Sequence, residues 1–523
     1  MDEPDKKINE EVLENEPEVE VEDAQTLCLG CFEKTEYHFS KKNAGIVLLA
    51  VAIMMLVMHL PTPPDLVNGD EVISMSVEGK NVFAILAFAV VLWMTEAIPF
   101  SIASLLMIIL FTFFGLCTFD EGVNMGLGKE VILFLTGCMG ISAALTHSGF
   151  AERIMLFTLS KVGVSTRKIV FAFMAIGTAV SMWVTDMAVA AMLLPLGVTI
   201  LHAAGAEPLK SNFGRALMIG TAWGCLIGGI ATPAGCGPNV VAIGYLNELA
   251  GEIVSFPQWM VVGVPASLMM LPIGYFILIH IFKPEIDTLP VSPKGIEEQL
   301  KYRGKLDRRE KNVLIIFVIT VTLWLTGPIL RENFGFALSD AGIAMLGFLL
   351  CFIPGLNVFD KWTDAAKEID WGGLMLIAGG LCAGKLLADT GAARYIAWLL
   401  LSGLGTWNPI MRVAMVVVAV ELMKIFFSSN SVTGAIVLPL IITLAQDLGM
   451  PAWSIAGPAA IATSMAYIMV TSSPTNVIPY SAGYFTIKDF AKVGVIMTIC
   501  GIICVTISVA VFGNFNGMNI WSV

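Results

Sequence analysis

Charge is scarce in this chain. Only 14% of its 523 residues are Asp, Glu, Lys or Arg, against about 25% in soluble domains, which excludes a soluble globular protein. Histidine is scarcer still, with five in all, too few for much acid–base chemistry. The sequence has no HExxH on a span, no aspartyl pair with Gly-x-Gly-Asp, and no Ser–His pair at a plausible depth, so a membrane-embedded enzyme is set aside. Ten cysteines show no paired disulfide framework, and all but two are scattered through apolar segments, where Cys acts as a small hydrophobe. What remains is apolar: 56% of the residues are hydrophobic.

Much of the formal charge of −12 comes from the first residues. Residues 1–40 read as a disordered acidic cytoplasmic tail, because Met1 to Asp23 is dense in Glu and Asp and has no aromatics. The tail lacks the charged-then-apolar pattern of a signal peptide. Cys28 and Cys31 form a CxxC with His38 nearby, and one pair with one His falls short of a zinc set.

A crossing helix needs about 20 apolar residues. Single spans are expected at 44–60, 81–97, 100–117, 131–148 and 259–281, then 312–330, 340–354, 372–389 and 491–513. Hairpins are expected at 168–201 and 410–446, and broken spans at 213–250 and 454–487. Residues 41–282 form a first membrane half, a repeat with one leading helix. Residues 283–311 form a basic loop, and 312–523 a second repeat.

Lys41 and Lys42 precede the first span, and Lys294, Lys301, Arg303, Lys305, Arg308, Arg309 and Lys311 fill the middle loop. Positive loops stay in the cytoplasm. About eleven crossings then put the N-terminus inside and Val523 on the extracellular or periplasmic side, with Arg167 and Lys168 at a cytoplasmic hairpin base. Five crossings per repeat, an odd number, make the repeats inverted.

The repeats share polar interruptions. The second hairpin turns at Ser428-Ser429-Asn430-Ser431-Val432, ahead of Pro439; the first turns at Val184-Thr185-Asp186-Met187, ahead of Pro195. Aligning the prolines sets Asp186 opposite Asn430 and Thr185 opposite Ser429. Each half then breaks again, at Thr232–Asn239 and at Thr471–Asn476. Proline and glycine there free backbone groups, which membrane depth tolerates only in buried or wet surroundings. Carbonyls with Ser, Thr and Asn oxygens suit sodium, and helices starting after Asn239 and Asn476 would face an anion. One such break reads equally well as a kink; matched pairs point to a transporter's midplane site. A channel fits less well than a carrier that occludes its cargo.

At these residues the chain resembles the divalent anion/sodium symporter family of INDY-like di- and tricarboxylate carriers. The matching segments are Trp93-Met94-Thr95-Glu96-Ala97-Ile98-Pro99, the two tips and the two breaks. The resemblance implies an all-α membrane protein of two inverted repeats with re-entrant hairpins, divided into a scaffold that dimerises and a transport domain that moves as an elevator. It implies secondary active transport of small anions across the cell membrane, coupled to Na+, with a lipid bilayer and a second copy as partners and no nucleic acid. The residues carried over for substrate are Thr185, Asp186, Ser429, Asn430, Ser431, Pro238, Asn239, Thr475 and Asn476. Those for the cation are Thr185, Asp186, Gly235, Ser429, Asn430, Ser472 and Ser473; Gly237 and Pro474 complete the break motifs.

The first tip departs from the family's Ser-Asn-Thr: an amide donor becomes a carboxylate, which when ionised only accepts, and a hydroxyl becomes the thioether of Met187. Asp186 could tighten a cation site, carry a proton, or pair with a buried lysine, Lys424 or Lys385. A sodium-independent carboxylate exchanger and a proton-coupled carrier therefore stay open beside sodium symport. Glu421 is expected at a membrane interface, Glu96 at a helix end it braces, and His147 as a structural residue.

Overall fold

The computed structural model describes residues 41–68, 71–289, 301–401, 407–425, 427 and 429–518. The acidic tail with Cys28, Cys31 and His38, and also Lys294 and Ser428, lie outside the described residues.

The leading helix α1 (Lys41–His59) is followed by a short antiparallel hairpin, β1 (Leu66–Asn68) and β2 (Glu71–Ile73). That hairpin is a small exception to the all-α expectation. The first half then runs α2 (Val77–Thr95), α3 (Phe100–Phe113), α4 (Phe119–Met125), α5 (Glu130–His147), α6 (Phe150–Val162), α7 (Thr166–Ser181), α8 (Asp186–Ala203), α9 (Asn212–Gly229), α10 (Gly237–Tyr245) and α11 (Phe256–Ile281). The second half repeats the order: α12 (Arg308–Phe334), α13 (Asp340–Leu350), α14 (Trp362–Ala366), α15 (Trp371–Asp389), α16 (Ala392–Leu401), α17 (Pro409–Lys424), α18 (Asn430–Asp447), α19 (Trp453–Ser464), α20 (Pro474–Ser481) and α21 (Ile487–Phe512).

Polar residues in the connections start these helices. Ser76 accepts from the Gly79 amide at the start of α2, and Thr118, Asp307 and Thr486 form capping boxes with Glu121, Glu310 and Asp489. Gly149 and Gly391 separate α5 from α6 and α15 from α16 with φ of +76° and +75°, a left-handed turn that costs a side chain roughly 1–2 kcal/mol. The matched runs around these glycines are thus matched corners. The helices beyond them, α6 and α16, were not expected as separate elements.

Among the described residues, nine helices are long and apolar enough to cross a membrane: α1, α2, α5, α8, α11, α12, α15, α18 and α21. The pieces of the broken spans are not among them: α9 runs 18 residues and α19 runs 12, and each is followed by a short half-helix, α10 of 9 residues and α20 of 8. Leu48 and Leu56 on α1 and Ile315 and Ile329 on α12 are exposed apolar side chains, as lipid-facing surface requires.

The packing is reciprocal. Helix α5 packs on α13 as α3 packs on α15, α7 on α9 as α17 on α19, and α8 on α20 as α10 on α18; α11 and α21 pack on each other. Each half therefore lends its hairpin arm and its half-helix to the other. The basic loop is anchored by charge: Arg153 pairs with Glu310 at 2.7 Å, Arg303 with Glu152, and Arg309 with Asp360.

Candidate functional site

The two breaks are built alike. In the first, the chain leaves α9 at Gly229, makes a tight turn over Pro233–Gly235, and re-enters a helix at Gly237. In the second it leaves α19 at Ser464, turns over Val470–Ser472, and re-enters at Pro474. The second break thus begins at Met465, six residues before the expected Thr471. Asn239 and Asn476 do not precede their helices as expected but lie in the first turn. Proline is tolerated there because first-turn amides lack intrahelical partners.

Each asparagine staples its own break. Asn239 Nδ2 donates to the carbonyls of Gly229 and Thr232, both at 2.8 Å. Asn476 Nδ2 donates to those of Ala466 and Met469, at 2.7 and 3.4 Å. In both halves the staple reaches back ten and then seven residues. Trp259 Nε1 donates to Ile230 O at 3.0 Å. Several carbonyls freed by the breaks are therefore held by protein donors, and neither asparagine amide nitrogen is idle. Two glycines back the unwound segments. A methyl group on Gly263 would fall 2.6 Å from Ile230 O, and one on Gly494 would fall 1.9 Å from Tyr467 O.

The first tip is wedged in place. Trp183 stacks on Phe256 with ring centroids 6.3 Å apart and meets Phe317 edge-on; Thr232 Oγ1 donates to Met182 O, and the Thr185 amide donates to Ser142 Oγ at 3.2 Å. Thr185 is half-buried as the cap residue of α8. Asp186 is buried, its Oδ1 accepts from the Met187 amide at 2.9 Å, and its carboxylate lies near Thr475 in the other half. Gly235 sits tightly against Ser181 O and Gly229 O.

The second tip turns at Ser429, whose Oγ accepts from the Val432 amide at 3.5 Å and whose carbonyl accepts from Thr433 Oγ1 at 3.0 Å. Asn430 is buried, and its Oδ1 has no hydrogen-bond partner among the described residues. A methyl on Gly237 would lie 3.0 Å from Ser431 Oγ, and one on Gly434 would lie 3.7 Å from Pro238 Cβ. So Asp186 meets Thr475, and Ser431 meets Gly237: each tip faces the half-helix of the opposite half. Ser473 caps α20, accepting from the Thr475 amide at 3.3 Å, and Ser472 is buried beside it.

Two expected partners move. Lys385 does not reach Asp186; it pairs with Asp389 one helical turn away, at 2.6 Å. Glu421 is not at an interface; it is buried one turn before the buried Lys424. Both line a small cavity with Ile425, the unwound stretch Met465–Met469, and Ser472. His147 packs against Phe359 with its ring tilted by 32° and centroids 5.2 Å apart. Sequence reasoning missed Ser142 and Ser464. Ser142 is one serine inside a small-residue helix and gave no signal. Ser464 donates to Asn239 Oδ1 at 3.4 Å and so joins the breaks; it would have been found had the second break been started before Met465.

Known proteins carry the same plan. Residues 41–518 match the family described as the sodium:sulfate symporter transmembrane region. The chain is 30% identical to the sodium-dependent dicarboxylate transporter SdcS of Staphylococcus saprophyticus, covering 83% of this chain and 86% of that one. It is also 30% identical to SdcS of Staphylococcus aureus, covering 80% and 82%. In fold it is similar to the YdaH transporter of Alcanivorax borkumensis, with TM-score 0.55 at 14% identity over 91% of this chain and 98% of that one. It is likewise similar to MtrF of Neisseria gonorrhoeae, of a class of antimetabolite efflux pumps, with TM-score 0.54 at 16% identity over 90% and 96%.

Proposed function

The chain belongs to the sodium:sulfate symporter family, and on that premise we propose that it is a sodium-coupled carrier of small dicarboxylates. The observation that carries this reading is the crosswise meeting of tips and half-helices, Asp186 with Thr475 and Ser431 with Gly237. A site shared by two repeats can open to either side as one moves against the other. The hydroxyls of Thr185, Ser429, Ser431 and Thr475 and the amide of Asn430 supply neutral contacts for a carboxylate. Carboxyl and carbonyl oxygens around Asp186, Gly235, Ser472 and Ser473 suit sodium. Pro238, Asn239 and Asn476 shape the pocket walls, with the asparagines acting through the staples. The dicarboxylate preference follows the activity for which the SdcS relatives are named.

The same reading extends to the whole molecule. The halves 41–282 and 312–523 are inverted repeats, the carrier works as a homodimer with a moving transport domain, and the N-terminus faces the cytoplasm with Val523 outside. The anchored basic loop on the side of Lys301 and Arg303 supports that orientation.

Uptake of labelled succinate by the purified chain in proteoliposomes tests the function. An inward sodium gradient is expected to raise initial uptake at least tenfold over an equal potassium gradient. Equal uptake in both, or uptake only against internal succinate, would contradict sodium symport.

A further inference from the structure

Lys424 is an ammonium in an unexpected place. It ends α17, six residues before Asn430, and its side chain is 3% exposed. Its Nζ has no hydrogen-bond partner among the described residues. The groups within its electrostatic reach are Glu421 on its own helix, Asp186 on α8, and the Cys236 thiol in the first break. Tyr467, in the second break, lines the same cavity. That cavity's remaining wall is unwound backbone, Met465 to Met469, with Ser472.

This setting decides among three roles. A structural ion pair would close Nζ onto a carboxylate, and no described pair within 4 Å includes Lys424. A direct contact to the substrate would bring a dianion towards two carboxylates and only one ammonium, and like charges repel. A positive charge beside carboxylates, hydroxyls and unwound carbonyls is, by contrast, the arrangement that holds an alkali cation. The departure at the first tip fits the same logic, since Asp186 stands where a neutral residue would leave the lysine less compensated.

We propose that the Lys424 ammonium is a resident cation, standing in the pocket for one of the sodium ions that a carrier of this architecture would otherwise take up. Its counter-charges are Asp186 and Glu421. With all three ionised the cluster sums to −1, so it admits one monovalent cation from solution rather than two. The inference rests on the sodium-coupled reading above, and it lowers the number of sodium ions bound per protomer by one.

Binding of ²²Na⁺ to the purified full chain in detergent, without substrate, tests it. A wrong substrate assignment leaves this measurement untouched, whereas a chain that is not sodium-coupled shows no sodium binding in the parent. Lys424→Gln is expected to bind one more sodium ion per protomer than the parent, and sodium, but not potassium, should raise its melting temperature more than it raises the parent's. Lys424→Arg, which keeps the charge, should bind the parent's number. If Lys424→Gln does not fold, Lys424→Met, which also removes the ammonium and leaves both carboxylates, takes its place and is expected to show the same gain of one ion. Sodium binding in the neutralised variants equal to or below the parent's would overturn the proposal. So would a gain of one ion in Lys424→Arg.

Discussion

Asn430→Ala is expected to abolish most transport while leaving the protein folded, and Asn239→Ala and Asn476→Ala are expected to do the reverse in order of cause. The three asparagines look equivalent in sequence, and Asn430 and Asn476 both leave a buried Oδ1 unpaired, but Asn239 and Asn476 commit their Nδ2 atoms to the breaks. Asn430 is buried with its Oδ1 unpaired, so its removal breaks no described hydrogen bond of that oxygen and deletes a polar contact available to cargo. One such contact is worth roughly 1–3 kcal/mol, about tenfold to a hundredfold in affinity. Asn239 and Asn476 each hold two carbonyls across a break. Truncating either strands buried acceptors at roughly 1–3 kcal/mol apiece, so stability falls first and transport is lost with it. Thermal unfolding and substrate binding, measured on the same preparations, separate the two outcomes. Binding within twofold of the parent in Asn430→Ala, or an unchanged melting temperature in both stapling variants, would sink the assignment.

Asp186→Asn should change ion dependence more than any other single substitution at the first tip. The side chain keeps its shape and can still accept from the Met187 amide, which now bonds at 2.9 Å. What disappears is a buried negative charge facing the cation region and Lys424. Attraction between unit charges 4 Å apart is worth about 4 kcal/mol where the effective dielectric constant is about 20. Recovering even a third of that predicts at least a tenfold rise in the sodium concentration for half-maximal uptake. The same loss removes repulsion from an incoming dianion, so succinate at saturating sodium should bind more tightly, not less. The shift is opposite in sign to that expected for Lys424→Gln, which adds net negative charge. Parallel uptake curves for succinate and citrate, across sodium concentrations and at two pH values, read both effects. An unchanged sodium curve and unchanged substrate affinity in Asp186→Asn would make the carboxylate structural.

Much of this was legible in the sequence because membrane helices announce themselves by length and composition. The turn at Val184–Met187, the caps at Thr185 and Ser429, and the two broken spans all fall where polar residues interrupt apolar runs. The junctions at Gly149 and Gly391 were visible as matched motifs, but the amphipathic helices beyond them were not, since neither is long enough to read as a span. The start of the second break was misplaced because Met465 to Met469 contains no proline or glycine. Its unwinding is fixed from outside, by Gly494 on α21 and by the amide of Asn476. Long-range partners were the least legible. Nothing in the sequence distinguishes Lys385, which closes onto Asp389 on its own helix, from Lys424, which does not close onto anything described. Likewise Glu421 reads as an interfacial acid until the fold buries it beside the second break.

Cargo bound where each tip faces the opposite half's break would be visible in a cryo-EM structure of the purified chain with succinate and sodium. Ligand density is expected between tips 184–187 and 429–432, with one carboxylate within hydrogen-bonding distance of Asn430 or Ser431 and the ligand bounded by Thr475 on the other side. Density for succinate in any other cavity, with the space between the tips closed, would contradict that placement.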